Sequence, residues 1–225
     1  MTIPGFPDSL VATEEGIVEP AGAVGEPTIA GLPEGYRYGV TRYADLILKE
    51  AFPDHLGQLS QVLADFRPAR SELVSGGGNK ASFTRRFDEA LRAHGWGKRN
   101  IEIGKTVDGS TISRVRGHEI DMFLAGPTGG GWPGIAVEME WNNKDPFFDR
   151  DLLNFQALHR EGVLAVGIVV TRGPALQERL KLLAPKYGES TTHWRKLVSR
   201  VNLGGGGECP LFLIGIEPAR IQGFA

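Results

Sequence analysis

The stretch GHEIDMFLAGPTGGGWPGIAVEMEWNN, Gly117–Asn143, decides how the rest of the chain is read. Two apolar runs, IDMFLA and GIAVEMEW, flank the turn PTGGGWP, the pattern of two adjacent strands in a hairpin. Side chains alternate along a strand. Val137, Met139 and Trp141 therefore go to one face, and Ala136, Glu138 and Glu140 to the other. With Asp121 on the strand opposite, three carboxylates are expected to meet at one point. Like charges so placed repel, and a hard cation with a taste for oxygen ligands, Mg²⁺ or Mn²⁺ as its substitute, relieves the repulsion. Asp121 and Glu138 would bridge one or two such ions, and Glu140 would either complete the coordination or act as base for an attacking water. The alternative is an acidic strand face turned to solvent.

The 225 residues are 41% apolar and 23% charged, which suits one α/β domain over 1–225 with a sizeable core. No apolar run approaches the ~20 residues of a membrane span, and the N-terminus carries neither a basic nor an apolar leader region. A cytoplasmic protein without membrane partners is expected. The lone Cys209 excludes an internal disulfide framework and a thiolate-rich zinc site.

Charge is unevenly spread. Residues 1–66 hold 3 Lys and Arg against 10 Asp and Glu, whereas residues 67–116 hold 11 against 5. A basic segment just before an acidic cluster fits a polyanionic ligand lying over the carboxylates, or else a solvated surface.

Residues 1–38, rich in Gly, Pro, Glu and Ala, read as an irregular N-terminal arm. Helices are expected over Thr41–Ala51, through Leu56–Phe66, and from the cap Ser82 to Gly95. A short strand lies in KRNIEIGKTV, and 108–116 reads as a polar loop carrying Arg114 and Arg116. Beyond the hairpin come a helix from about Pro146 to Arg160 and the buried strand VLAVGIVV. Two more helices, starting at Gly173-Pro174 and near Trp194, precede a last buried strand, LFLIGI. That order implies a central mixed sheet flanked by helices, antiparallel at the hairpin and parallel afterwards.

Other chemistries lack their residues. SGGGNK at 75–80 has the wrong spacing for a phosphate-binding loop, and the Gly204–Gly207 run has no Lys after it. G-x-S-x-G and H-E-x-x-H are missing. A glycosidase could use paired carboxylates, but the aromatics sit at core-like helical spacing rather than as sugar platforms.

Asp followed, across a turn, by Glu-x-Glu resembles the PD-(D/E)xK nuclease fold, and most closely the group of type II restriction endonucleases that contains BglII, BstYI and BamHI. FTRRFDEALRAHGW (83–96), IAVEMEWNN (135–143), VGIVVTRG (166–173), STTHWRKL (190–197) and PLFLIGIEP (210–218) match that group in order, over roughly residues 50–218. The resemblance implies Asp121 and Glu138 as metal ligands, with Glu140 in the third catalytic position. The wider superfamily has Lys there and BglII has Gln, so Glu140 agrees with the BamHI-like pattern and its role stays open. Glu102 is the matching upstream polar residue. Asn143, just after the catalytic strand, and Ser190, Thr191 and Thr192 in a second loop fall where the family reads bases, while Asn142 and Lys144 beside Asn143 are polar side chains that can reach out to DNA; Ser190 or Thr191 also suits helix capping. Lys80, Arg85, Arg114 and Arg116 are the candidates for phosphate contacts. The family further implies Mg²⁺-dependent cutting of palindromic double-stranded DNA by a homodimer. Two rivals are a repair or structure-specific nuclease of the same fold, and a DNA-binding protein that kept the fold and lost catalysis.

Overall fold

The computed structural model of the chain describes residues 24–74 and 81–224, together with a short antiparallel pair, Val11–Ala12 with Val18–Glu19. Its centre is a six-stranded sheet. The strands are β1 (Tyr36–Val40), β2 (Gly97–Val107), β3 (Ser110–Leu124), β4 (Gly134–Met139), β5 (Leu164–Arg172) and β6 (Leu211–Ile216), in the spatial order β1-β6-β5-β4-β3-β2. β4, β5 and β6 run parallel; β1 on β6, β3 on β4 and β2 on β3 run antiparallel.

Hydropathy sets this order. β4 and β6 are buried along their whole length and β5 nearly so, as continuous apolar runs require. They therefore fill the middle, and the mixed or exposed strands take the edges. The sheet is covered on both faces. Helices α1 (Ala44–Ala51), α2 (Pro53–Asp65), α3 (Arg70–Val74), α4 (Ser82–Ala93) and α6 (Pro174–Leu183) pack Leu48, Leu63, Phe83, Phe87 and Leu180 against Val137, Ile168 and Ile214. On the other face α5 (Pro146–Arg160) and α7 (Trp194–Asn202) pack Phe148, Leu152, Phe155 and Leu197 against Ala136, Val169 and Leu213. Expected alternation holds on β4: Val137 and Met139 lie in the first core and Ala136 in the second.

Three expectations need correction. The N-terminal arm does not stay irregular to residue 38: Tyr36–Val40 is an edge strand on β6. Ser82 is the first residue of α4 rather than its cap, and its hydroxyl donates to Glu72 Oε1 at 2.8 Å. Residues 108–116 are not a loop. Asp108 and Gly109, with φ of 47° and 79°, form a two-residue turn between β2 and β3. Positive φ at both turn positions matches the right-handed twist of the flanking strands, which is why Asp-Gly is a strong hairpin signal. The outer half of this ribbon is exposed, with Val107, Ile112 and Val115 open to solvent.

Candidate active site

The hairpin β3–β4 brings the expected acids together. Met122 pairs with Val137 and Phe123 with Ala136, so Asp121 stands opposite Glu138. The Asp121 amide donates to Glu138 Oε1 at 3.0 Å. Beyond β4 the chain leaves the sheet with Glu140, and the Glu140 amide still donates to Val170 O at 2.9 Å, which anchors it. A cleft of about 1060 Å³ opens at this end of β4 and is lined by Asp121, Glu138, Glu140, Asn142, Asn143 and, from the start of α4, Arg85. Ligand clefts at the carboxyl ends of parallel strands are the general rule for such sheets.

The carboxyls are almost dry. Glu138 is 5% exposed and Glu140 3%. Burial pushes the Glu138 carboxyl well above the ordinary range, and the neighbouring charges of Asp151 and Asp121 push it further. Burial, then the charge of Asp151, lifts Glu140 to about 8, against an opposing hydrogen bond from Asn143. That bond is short: Asn143 Nδ2 donates to Glu140 Oε2 at 2.6 Å. Arg150 Nη2 lies 3.5 Å from Glu140 Oε1 and donates to Asp151 Oδ1 at 2.7 Å. Asp151 is itself buried and its carboxyl is raised by that burial.

Asp151 and Arg150 were not among the residues expected from sequence, though a signal existed. Asp151 falls three residues after Phe148 and four before Phe155, on the face of α5 that the apolar spacing turns inward. An acid on the buried face of an amphipathic helix calls for a partner or a function.

The three strand acids do not converge as simply as the alternation suggests. Among the described residues no three His, Cys, Asp or Glu side chains form a ready cage for an ion. Glu138 is turned onto the Asp121 amide, and Glu140 onto Asn143 and Arg150. As chemistry the set nevertheless fits a hard cation. Its donors are all carboxylate oxygens, and one of them, Asp151 Oδ2, is buried without any hydrogen-bond partner.

Matching the chain to known families gives the restriction endonuclease BglII/BglIII family over residues 36–216. The chain belongs to that family. Comparison with curated proteins finds no match. The matched span runs from β1 to the end of β6, so it takes in the whole sheet and the acid-lined cleft of this BglII-family chain.

The other expected residues fall into separate groups. The segment after β4 and the one before α7 are laced together: the Thr192 amide donates to Asn143 O at 2.9 Å, the Asp145 amide to Ser190 O at 3.0 Å, and Lys144 bridges Thr191. Asn142, Asn143, Lys144 and Ser190 are exposed and Thr191 partly so, but Thr192 is fully buried, so its side chain offers DNA nothing directly. Buried Arg172 holds this second segment from below, donating from Nε to Thr192 O at 3.0 Å and from Nη2 to Thr191 Oγ1 at 2.6 Å. Glu102 is not in the cleft. It sits on exposed β2 and pairs with Arg116 at 2.5 Å and Arg114 at 3.7 Å. Lys80 lies outside the described residues. No helix among the described residues is long and apolar enough to cross a membrane.

Proposed function

We propose that this restriction endonuclease is a type II enzyme that hydrolyses phosphodiester bonds in palindromic double-stranded DNA, with Mg²⁺ as cofactor and Mn²⁺ as a substitute. The observation that carries the reading is the cleft at the end of β4. Asp121, Glu138 and Glu140 line it together, and Asn142 and Asn143 follow at its rim. Asp121 and Glu138 hold the cation. When bound, the cation supplies the positive charge that polarises the scissile phosphate and acidifies a water.

The chain's own residues do the rest. Glu140 takes the proton of the attacking water on Oε1, because Oε2 is engaged by Asn143. Its carboxyl, raised to about 8 in the metal-free protein, belongs to the range in which a general base works near neutral pH. One P–O bond forms to the water oxygen as the bond from phosphorus to the leaving sugar oxygen breaks, and that oxygen takes a proton from solvent water. Arg85 at the cleft wall steadies a phosphate, and the exposed ribbon with Arg114 and Arg116 extends the phosphate contacts. Asn142, Asn143, Ser190 and Thr191 read base edges, for which amide and hydroxyl groups suit. Two copies on a palindrome each cut one strand. The protein works in the cytoplasm, where the DNA to be cut is found.

The test is digestion of a long duplex with Mg²⁺. Discrete fragments are expected; a smear would mean a nonspecific nuclease, and an intact duplex with a retarded band a binding protein. Glu138→Ala should abolish cutting and leave DNA retardation largely in place. Full cutting by that variant would overturn the assignment. Sedimentation with a short duplex that carries the cut site should show two chains per duplex.

A further inference from the structure

We infer that Asp151 of α5 is a ligand of the divalent cation, so that the metal site is built by a helix as well as by the hairpin. This rests on the cation-dependent reading of the cleft. Asp151 is 2% exposed. Its Oδ1 accepts from Arg150 Nε at 2.9 Å and Nη2 at 2.7 Å. Its Oδ2 is enclosed and accepts nothing. A buried carboxylate oxygen without a donor is costly. The cost is incurred on a helix face whose other members, Phe148, Leu152 and Phe155, are fully apolar and fully buried, so packing alone has no use for an acid there.

The orphan carboxyl lies just behind the cleft wall, to which its neighbour Arg150 belongs, and next to the cleft acids. It is within hydrogen-bonding reach of Glu140, and its charge acts on Glu138 more strongly than that of Asp121 does. The guanidinium of Arg150 reaches both Asp151 and Glu140. It is more than half exposed and rests on the ring of Phe147, 4.8 Å from its centroid. It can therefore swing outward without leaving a cavity when an ion takes over Asp151.

Mn²⁺ binding to the full chain without DNA, measured by calorimetry and by the electron paramagnetic resonance of free Mn²⁺, tests this. Asp151→Asn is expected to weaken Mn²⁺ at least about tenfold, the loss typical of disturbed metal sites, while its thermal midpoint in EDTA does not fall. Unchanged Mn²⁺ affinity would overturn the inference. Glu138→Ala separates the two levels. If it weakens Mn²⁺ and Asp151→Asn does not, only the role of Asp151 is lost; if neither variant weakens it, the cation-dependent reading falls as well. Should Asp151→Asn not fold, the wild-type chain answers. Fe²⁺ with ascorbate and peroxide cuts backbone next to a bound ion, and fragments ending near residue 151 are expected beside those near 121 and 138–140. Cuts confined to the hairpin would overturn the inference.

Discussion

Replacing Glu140 with Gln should make the ion-free protein more stable in alkali while removing its ability to cut DNA. Burial and the charge of Asp151 lift the Glu140 carboxyl from 4.5 to about 8 in the folded chain. Between those values the folded state keeps a proton that the unfolded state releases. The group's contribution to stability is thus fully present below pH 4.5 and is lost as the pH rises through about 8. At 1.36 kcal/mol per pH unit the full loss is about 5 kcal/mol, and relaxation around the charged form reduces it to about 2–5 kcal/mol. Gln has the shape of the protonated acid. Its Oε1 can still accept from Asn143, and its amide nitrogen, unlike a carboxylate, can donate to Asp151. The variant should match wild type at pH 5. At pH 9 in EDTA it should melt about 5–15 °C higher, at the 2–4 °C per kcal/mol usual for a chain of this size. Differential scanning fluorimetry across pH 5–9 reads this directly. Adding Mn²⁺ should raise the wild-type midpoint at pH 9 and close much of the gap. If the two proteins lose stability in parallel with pH, or the variant melts lower at pH 9, the account of Glu140 as a strained buried acid is wrong.

Three further outcomes are expected. Gly167→Ala puts a Cβ 2.3 Å from the ring of Phe155 in the middle of β5, so it should cost about 1–3 kcal/mol by overpacking and lower the urea midpoint; an unchanged midpoint would refute the packing. Arg85→Ala should flatten the log–log salt dependence of DNA affinity by about 0.9, the share of one phosphate, when binding is titrated without cutting in EDTA; an unchanged slope would take Arg85 off the phosphates. Cys209 is buried and its thiol is pushed up to about 12, so a thiol reagent should label it only as the chain unfolds; rapid labelling of the native protein would refute this.

Much of the architecture was legible because its signals are local. The continuous apolar runs of β5 and β6 announce buried parallel strands, and Pro146 and Pro174 mark helix starts that the structure keeps at those residues. The hairpin that pairs Asp121 with Glu138 followed from alternation and a glycine-rich turn. β2 and the inner end of β3 are legible, but the outer part of the ribbon, residues 108–116, reads as a loop for a physical reason. It is exposed on much of both strands, so no apolar stripe marks it, and only Asp108-Gly109 gives it away. Asp151 is hidden in the sequence because the apolar positions alone define the helix's inward face. Pairings between distant segments, such as Thr192 with Asn143 or Arg172 with Thr191, have no signal in one sequence at all.

Glu140, at the position that the family resemblance gives as the third catalytic one, shows how two departures compensate. Where the superfamily has Lys, this chain has Glu140, which replaces a positive charge in the cleft by a negative one beside Glu138 and Asp151. Left bare, three buried acids would repel strongly. The chain answers from two directions outside the motif. Asn143, three residues on, donates to one Glu140 oxygen, and Arg150, from the next helix, sets a guanidinium beside the other and against Asp151. The cationic charge absent from the end of β4 thus reappears on α5, on a side chain that is more than half exposed. A Lys fixed on the strand would compete permanently with a divalent ion for the same oxygens. With Arg150 the neutralising charge sits on an exposed side chain of the next helix instead, so exchanging the motif's Lys for Glu moves the cation from the floor of the cleft to its rim.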